Sequence, residues 1–173
     1  MTPMKWTDRR FEFSHSLDLF PNVLERLRGA PVRVREMVHG LPPETLVRRP
    51  LAGWSIQEHI GHLGDIEDIH EGRIDDFIFH AQRLRPADLT NRKTHDANHN
   101  ATDLDTVISR FSSKRDHFID RLIKLDQDTL QVLSLHPRLE QPMRVIDMMV
   151  FTADHDDHHL AWIRALMKRF ASS

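Results

Sequence analysis

The stretch Gly53-Trp-Ser-Ile-Gln-Glu-His-Ile-Gly-His62-Leu63 marks the start of a long helix. Ser55 and Glu58 have the spacing of a capping box, in which the serine hydroxyl caps the first turn and the glutamate reaches back to the serine backbone. Apolar residues then recur with helical spacing at Ile56, Ile60, Leu63, Ile66, Phe77 and Ile78. We predict a helix over residues 55–82, in which His62 points away from the polar face.

A second histidine-containing stretch, His155-Asp-Asp-His-His159-Leu160, lies in a predicted helix over residues 144–170. His155 and His159 are four residues apart, so both imidazoles lie on one helix face. The same stripe holds Met148, Thr152, Trp162, Ile163, Leu166 and Phe170. Neutral imidazole is a common ligand of divalent metals, so the pair predicts a metal site. Two hydrogen-bonded core histidines are the alternative.

The spacing of this pair is not specific by itself. With 13 histidines among 173 residues, chance alone gives about one H-x-x-x-H, and His95 and His99 form another. What distinguishes His155 and His159 is their helical context together with His62. A metal site inside a helix bundle requires inward ligands from more than one helix.

Residues 85–101, which contain His95 and His99, are polar and aperiodic and predict a long loop. Two interpretations remain open. The loop folds over a metal, with Asn91, Arg92 and His95 contacting the substrate, or it is a solvated polar segment.

Helical periodicity predicts the remaining architecture. The other segments are a lead-in over 1–16, a helix over 21–38 interrupted at Gly29-Ala30-Pro31, a helix over 102–125, a short helical turn over 126–133 and a loop over 136–142. No segment indicates a strand. Four long helices predict an all-α, four-helix bundle, and the length predicts a single domain over 1–173.

Composition excludes several classes of function. The net charge of −2 and pI of about 6.7 give no electrostatic basis for nucleic-acid binding. The chain has no cysteine, which excludes disulfides and thiolate sites and fits a cytoplasmic location. No apolar run approaches the roughly 18 residues of a membrane span, and the first residues lack a signal-peptide core.

The two histidine stretches resemble the DinB-like superfamily, in particular its metal-binding branch of YfiT-like hydrolases. The first is similar to the family's W-S-x-x-E-x-x-x-H start of the second helix, and the second to its H-x-x-H-H-x-x-x-I late helix; the match covers about residues 20–170. The resemblance implies a divalent metal, zinc, nickel, manganese or iron, held by His62, His155 and His159. It also implies a homodimer. His158 precedes the third ligand and is expected beside the site or at the surface.

Two classes of function follow from the resemblance. The first is a metal-dependent enzyme with a small-molecule substrate, acting by hydrolysis or by transferring a low-molecular-weight thiol; its catalytic residues stay unassigned. The second is a non-enzymatic dimeric stress-response or binding module with a structural metal or none. An open coordination position would distinguish the enzyme.

A few further residues have a functional and a structural interpretation. Asp65 is placed to orient an imidazole. Glu58 is a general base or only a cap, and Trp54 a packing residue before the helix. Arg138 lies in the loop over 136–142 and Arg144 follows it; they either bind a carboxylate or phosphate or are solvated.

Overall fold

The computed structural model describes residues 3–171. The α-helices are α1 (Phe20–Val38), α2 (Pro43–Val47), α3 (Ile56–Ile78), α4 (Arg92–Asp96), α5 (Leu104–Leu122), α6 (Gln127–Gln131) and α7 (Val145–Ala171). Short 3-10 helices cover Trp6–Asp8, Leu17–Leu19 and His99–Ala101. Two-residue strands, β1 (Ser134–Leu135) and β2 (Pro142–Met143), pair antiparallel. The long helices α1, α3, α5 and α7 pack as a four-helix bundle, which confirms the all-α prediction.

A polar layer divides the hydrophobic core of this bundle. One apolar cluster includes Phe77, Phe118 and Met149, and the other includes Ile60, Phe111 and Ile163. Between them along the helices are buried polar residues: His62, Glu67 and His70 on α3, Arg115 on α5, and His155, Asp156 and His159 on α7. Within residues 3–171, no helix combines the length and apolarity needed to cross a membrane.

The predicted interruption of the first helix is wrong, because α1 continues through Pro31. Proline has no N–H and leaves the carbonyl four residues earlier without its helical partner. That carbonyl belongs to Leu27, and Arg115 Nη1 donates a hydrogen bond to it at 3.0 Å. A side chain from α5 therefore satisfies the backbone group that the proline leaves free.

The predicted helix over 55–82 begins as expected but ends earlier. Ser55 Oγ accepts from the backbone N–H of Glu58 at 3.1 Å, and Glu58 Oε2 accepts from that of Ser55 at 2.8 Å. These two bonds confirm the capping box. The helix ends at Ile78, and His80 has a left-handed φ of 52° that an α-helix does not accommodate.

Periodicity did not reveal the regular structure in and beside the two predicted loops. The expectation of no strands is wrong, because the loop over 136–142 connects β1 and β2, which are too short to show an alternating pattern. The loop over 85–101 contains α4. Asp88 fixes the start of this helix, because its carboxylate accepts from the backbone N–H groups of Thr90 and Arg92 at 2.9 and 3.0 Å. Local side-chain capping thus orders a segment that lacks hydrophobic periodicity.

The predicted lead-in segment packs on the bundle over its described residues, 3–16. The Trp6 ring lies 4.7 Å from the Phe11 ring and 4.9 Å from Phe151 of α7, centroid to centroid. Trp6 also lies edge-on to His155, with centroids 4.9 Å apart. This segment therefore forms one wall of the histidine layer.

Candidate metal centre

Three buried histidines from two helices converge in the polar layer. One ring nitrogen from each of His62, His155 and His159 lies within 4.8 Å of the others. His155 Nε2 and His159 Nε2 are 3.2 Å apart. Since a zinc–imidazole bond is about 2.0–2.1 Å long, two such ligands on a tetrahedral ion are about 3.4 Å apart. The donor set and its spacing therefore fit a divalent metal.

These imidazoles are neutral and keep a lone pair for a ligand. Burial lowers the pKa of His62 to about 4. Burial, reinforced by the neighbouring imidazoles, holds the pKa of His155 and of His159 well below its ordinary value. Two buried lone pairs at the distance seen between His155 and His159 repel each other unless a proton or a cation lies between them.

A chain of hydrogen bonds fixes the orientation of His62. Thr94 Oγ1 donates to Asp65 Oδ2 at 2.9 Å and lies 3.0 Å from His62 Nδ1. Because the Thr94 hydroxyl donates its only proton to Asp65, it accepts a hydrogen bond from His62 Nδ1–H. The lone pair of His62 is therefore on Nε2. The orienting role considered for Asp65 thus reaches His62 through Thr94, a residue that sequence reasoning missed.

His99 stabilises the same chain from the predicted loop. Its Nε2 lies 2.8 Å from Asp65 Oδ2. Although burial alone would raise it, hydrogen bonds from His99 and Thr94 hold the pKa of Asp65 below its ordinary value. A Cβ at Gly61 would lie 2.3 Å from the His99 ring, so only glycine permits this approach.

The structure supports part of each interpretation of the loop over 85–101. His99 and Thr94 are buried over α3, which excludes a wholly solvated loop. His95 and Arg92 are exposed, and Arg92 pairs with Asp96. Asn91 lines cavities on both sides of the histidines.

His59 supports His159 in the way that Thr94 supports His62. The two Nδ1 atoms are 2.9 Å apart. Burial lowers the pKa of His59 to about 3, so the ring is neutral and its Nδ1 can accept a hydrogen bond from His159 Nδ1–H. Sequence reasoning missed His59 although it lies in the quoted stretch, because the sequence does not indicate that its side chain contacts His159, 100 residues later.

Aromatic rings fix the remaining sides of the cluster. Trp54 is stacked on His159 with centroids 6.0 Å apart and lies 4.7 Å from His62. His155 depends on packing against Trp6, since its Nδ1 has no hydrogen-bond partner among residues 3–171. His158 is buried beside Trp6 and lies outside the three-histidine cluster, as expected.

Two other candidate residues have structural roles. Glu58 is held by the capping box and by an ion pair with Arg49, and although burial opposes it, these bonds lower its pKa to about 2. A carboxylate so occupied is a poor general base. Arg144 donates to the backbone oxygen of His15 at 2.7 Å and lies 3.6 Å from Asp147, which makes it a brace for the lead-in segment.

A buried ion network lies beside the histidines. Arg115 donates to Glu67 Oε1 at 2.7 Å and to Asp156 Oδ2 at 2.6 Å, and His70 Nδ1 lies 3.2 Å from Glu67 Oε1. Although burial would raise it, Arg115 and His70 lower the pKa of Glu67 to about 2. The network joins α3, α5 and α7 at the level of the site, so it holds the helices that carry the histidines.

Cavities reach the histidines from two directions. The basic cavity, about 280 Å³, contains Arg73 and Arg138 in its walls. The aromatic cavity, about 320 Å³, is lined by Trp54 and Trp162. His62 and His155 face both cavities, so molecules can approach the cluster from either side.

Comparisons with known proteins identify the fold and the family. A solved structure of YfiT from Bacillus subtilis, described as a probable metal-dependent hydrolase with an unusual four-helix bundle topology, is similar with a TM-score of 0.79; the two share 17% identity over 94% of each chain. No curated protein matches this sequence. The family model of the DinB superfamily matches residues 26–163. The resemblance inferred from the two histidine stretches is thereby confirmed, and the chain belongs to the DinB superfamily.

Proposed function

We propose that this protein binds one divalent metal through His62, His155 and His159 and uses it to hydrolyse a small molecule. The observation that carries the proposal is the convergence of three buried, neutral imidazoles, with two Nε2 atoms 3.2 Å apart. The description of YfiT as a probable metal-dependent hydrolase supports the choice of reaction.

A divalent ion bound there would lower the pKa of a coordinated water toward about 7 and polarise a substrate oxygen. The protein contributes the ligand arrangement. Thr94 and Asp65 hold His62, while His59 holds His159. Three neutral ligands leave the ionic charge uncompensated, which favours anionic groups in the open position.

Zinc is the first choice of metal, and nickel and iron are also compatible with three imidazoles. Manganese prefers oxygen ligands, which this cluster lacks. The absence of cysteine suits a reducing cytoplasm, where we place the activity.

Transfer of a low-molecular-weight thiol is the second candidate reaction. The observation that favours it is the presence of two cavities that both reach His62 and His155. A transferase needs room for a thiol and an electrophile at one metal, whereas a hydrolase needs room for one organic substrate and water.

The test combines metal content with activity on untagged protein. We expect near-stoichiometric zinc, nickel or iron, and metal-dependent cleavage of esters, amides or phosphoesters. His155→Ala should lose both, whereas His39→Ala, a change at an exposed histidine, should lose neither. Turnover only with an added thiol and an electrophile would favour the transferase. A bound metal with all positions filled by protein would favour the non-enzymatic module.

We further propose a homodimer, as the family resemblance implies. Light scattering should give twice the chain mass of 20.3 kDa. A monomer at micromolar concentration would contradict it.

A further inference from the structure

The basic cavity extends from the histidine cluster to two arginines. His62 and His155 form part of its wall, and Arg73 and Arg138 form another part. Arg73 lies about three helical turns beyond His62, or about 16 Å along α3. Arg73 therefore lies toward the end of the cavity away from the histidines.

Both arginines lack a carboxylate partner among residues 3–171. Arg73 is only 3% exposed, and its one hydrogen bond runs from Nε to the backbone oxygen of Arg85 at 3.2 Å. Arg138 Nη2 is buried and has no hydrogen-bond partner. In contrast, the buried Arg115 contacts two carboxylates. Arg73 is a buried cation, which is costly without a counter-ion, and the partly buried Arg138 adds an unpartnered N–H at the same cavity. Together the two arginines indicate a binding site for an external anion.

Asp88 lines the cavity and Asp76 lies near Arg73, but both carboxylates are hydrogen-bonded to groups other than the two arginines. Asp88 accepts the backbone N–H groups that begin α4. Asp76 is close enough to favour the charged form of Arg73, but its oxygens accept from Arg85. His136 is neutral and adds no positive charge to the cavity. Burial is the main reason that its pKa is lowered to about 3, and the nearby Arg73 and Arg138 lower it further. Neither Arg73 nor Arg138 therefore has a carboxylate of the described residues in direct contact.

The other walls combine apolar side chains, Ile66, Ile69, Leu89 and Phe151 among them, with the polar residues His70, Asp88, Asn91 and His136. A small molecule with an apolar body and one anionic end matches such a lining.

We propose that Arg73 and Arg138 bind a carboxylate or phosphate group of the substrate and so direct its other end toward His62 and His155. Guanidinium groups bind both anions through paired, charge-assisted hydrogen bonds. The anion site is inferred from the cavity alone, whereas the inference that its ligand is the substrate rests on the proposed function.

Calorimetric titration of the full-length protein tests the proposal with three probes of similar shape: benzoate, phenyl phosphate and uncharged benzamide. We expect at least one anion to bind more than tenfold tighter than benzamide. Arg138→Gln should reduce the affinity for that anion more than tenfold and leave benzamide unchanged. Arg164→Gln, a control at an exposed arginine of α7, should have no effect. Whichever anion binds tighter identifies the preferred group as carboxylate or phosphate.

The same titrations with His155→Ala separate the anion site from the metal centre. The effect of Arg138→Gln should persist in that background even though hydrolysis is lost. Arg73→Gln provides a second variant, and because Arg73 is more buried, its fold is checked by circular dichroism. Three results would each overturn the proposal. They are binding of both anions no tighter than binding of benzamide, equal effects of Arg138→Gln and Arg164→Gln, and loss of the anion preference in His155→Ala.

Discussion

Replacing Thr94 with valine tests whether the loop over α3 prepares His62 for a metal. Valine keeps the shape of threonine but removes the hydroxyl that lies 3.0 Å from His62 Nδ1 and 2.9 Å from Asp65 Oδ2. Leaving buried polar groups without partners costs roughly 1–3 kcal/mol. Groups that orient metal-bound histidines typically contribute about 10–100-fold in affinity, which corresponds to about 1.4–2.7 kcal/mol. We therefore expect zinc affinity to fall by about that factor.

The assay is competition for zinc against a chromophoric chelator, with circular dichroism to confirm the fold. Thr106→Val is the matched control, because Thr106 also donates to a carboxylate, that of Asp103, but lies exposed at the start of α5. The Thr106→Val protein should bind zinc as tightly as the unchanged protein. A Thr94→Val protein that binds zinc as tightly as the parent, or a loss of equal size in Thr106→Val, would refute the reasoning.

Two further predictions concern stability, both read from urea denaturation. Arg115→Met should lower the free energy of unfolding by about 3–5 kcal/mol, since it leaves Glu67 and Asp156 as buried carboxylates without their cation; a loss no larger than that of the exposed Arg110→Met would contradict this. Glu58→Gln keeps an oxygen for the capping box but removes the charge paired with Arg49, which should cost roughly 0.2–1 kcal/mol at pH 7. Because the pKa of Glu58 is lowered from 4.5 to about 2, its contribution is complete above pH 4.5 and disappears as the pH falls toward 2; a difference that stays constant with pH would be inconsistent with it.

The parts of the structure that sequence predicted are those with local, periodic signals. The capping box at Ser55 fixed the start of α3, and the stripe through His155 and His159 fixed the inward face of α7. Grouping these histidines with His62 needed the family resemblance as well, since spacing alone is matched by His95 and His99.

The supporting contacts escaped prediction because they join residues far apart in sequence. Thr94 lies in an aperiodic segment, and only the folded chain places it between His62 and Asp65. The continuity of α1 through Pro31 likewise depends on Arg115, a residue of another helix. Hydrophobic periodicity reports which face of an element is buried but not which polar groups meet there.

The central claim is that His62, His155 and His159 share one metal ion. Anomalous X-ray diffraction from crystals of untagged protein, collected at the absorption edge of the metal found by elemental analysis, tests it most directly. The account predicts one strong peak per chain, bonded at about 2.0–2.1 Å to one nitrogen of each histidine. Crystals equilibrated with zinc or nickel that show no peak there, with His155 Nε2 and His159 Nε2 joined by a direct hydrogen bond, would contradict it.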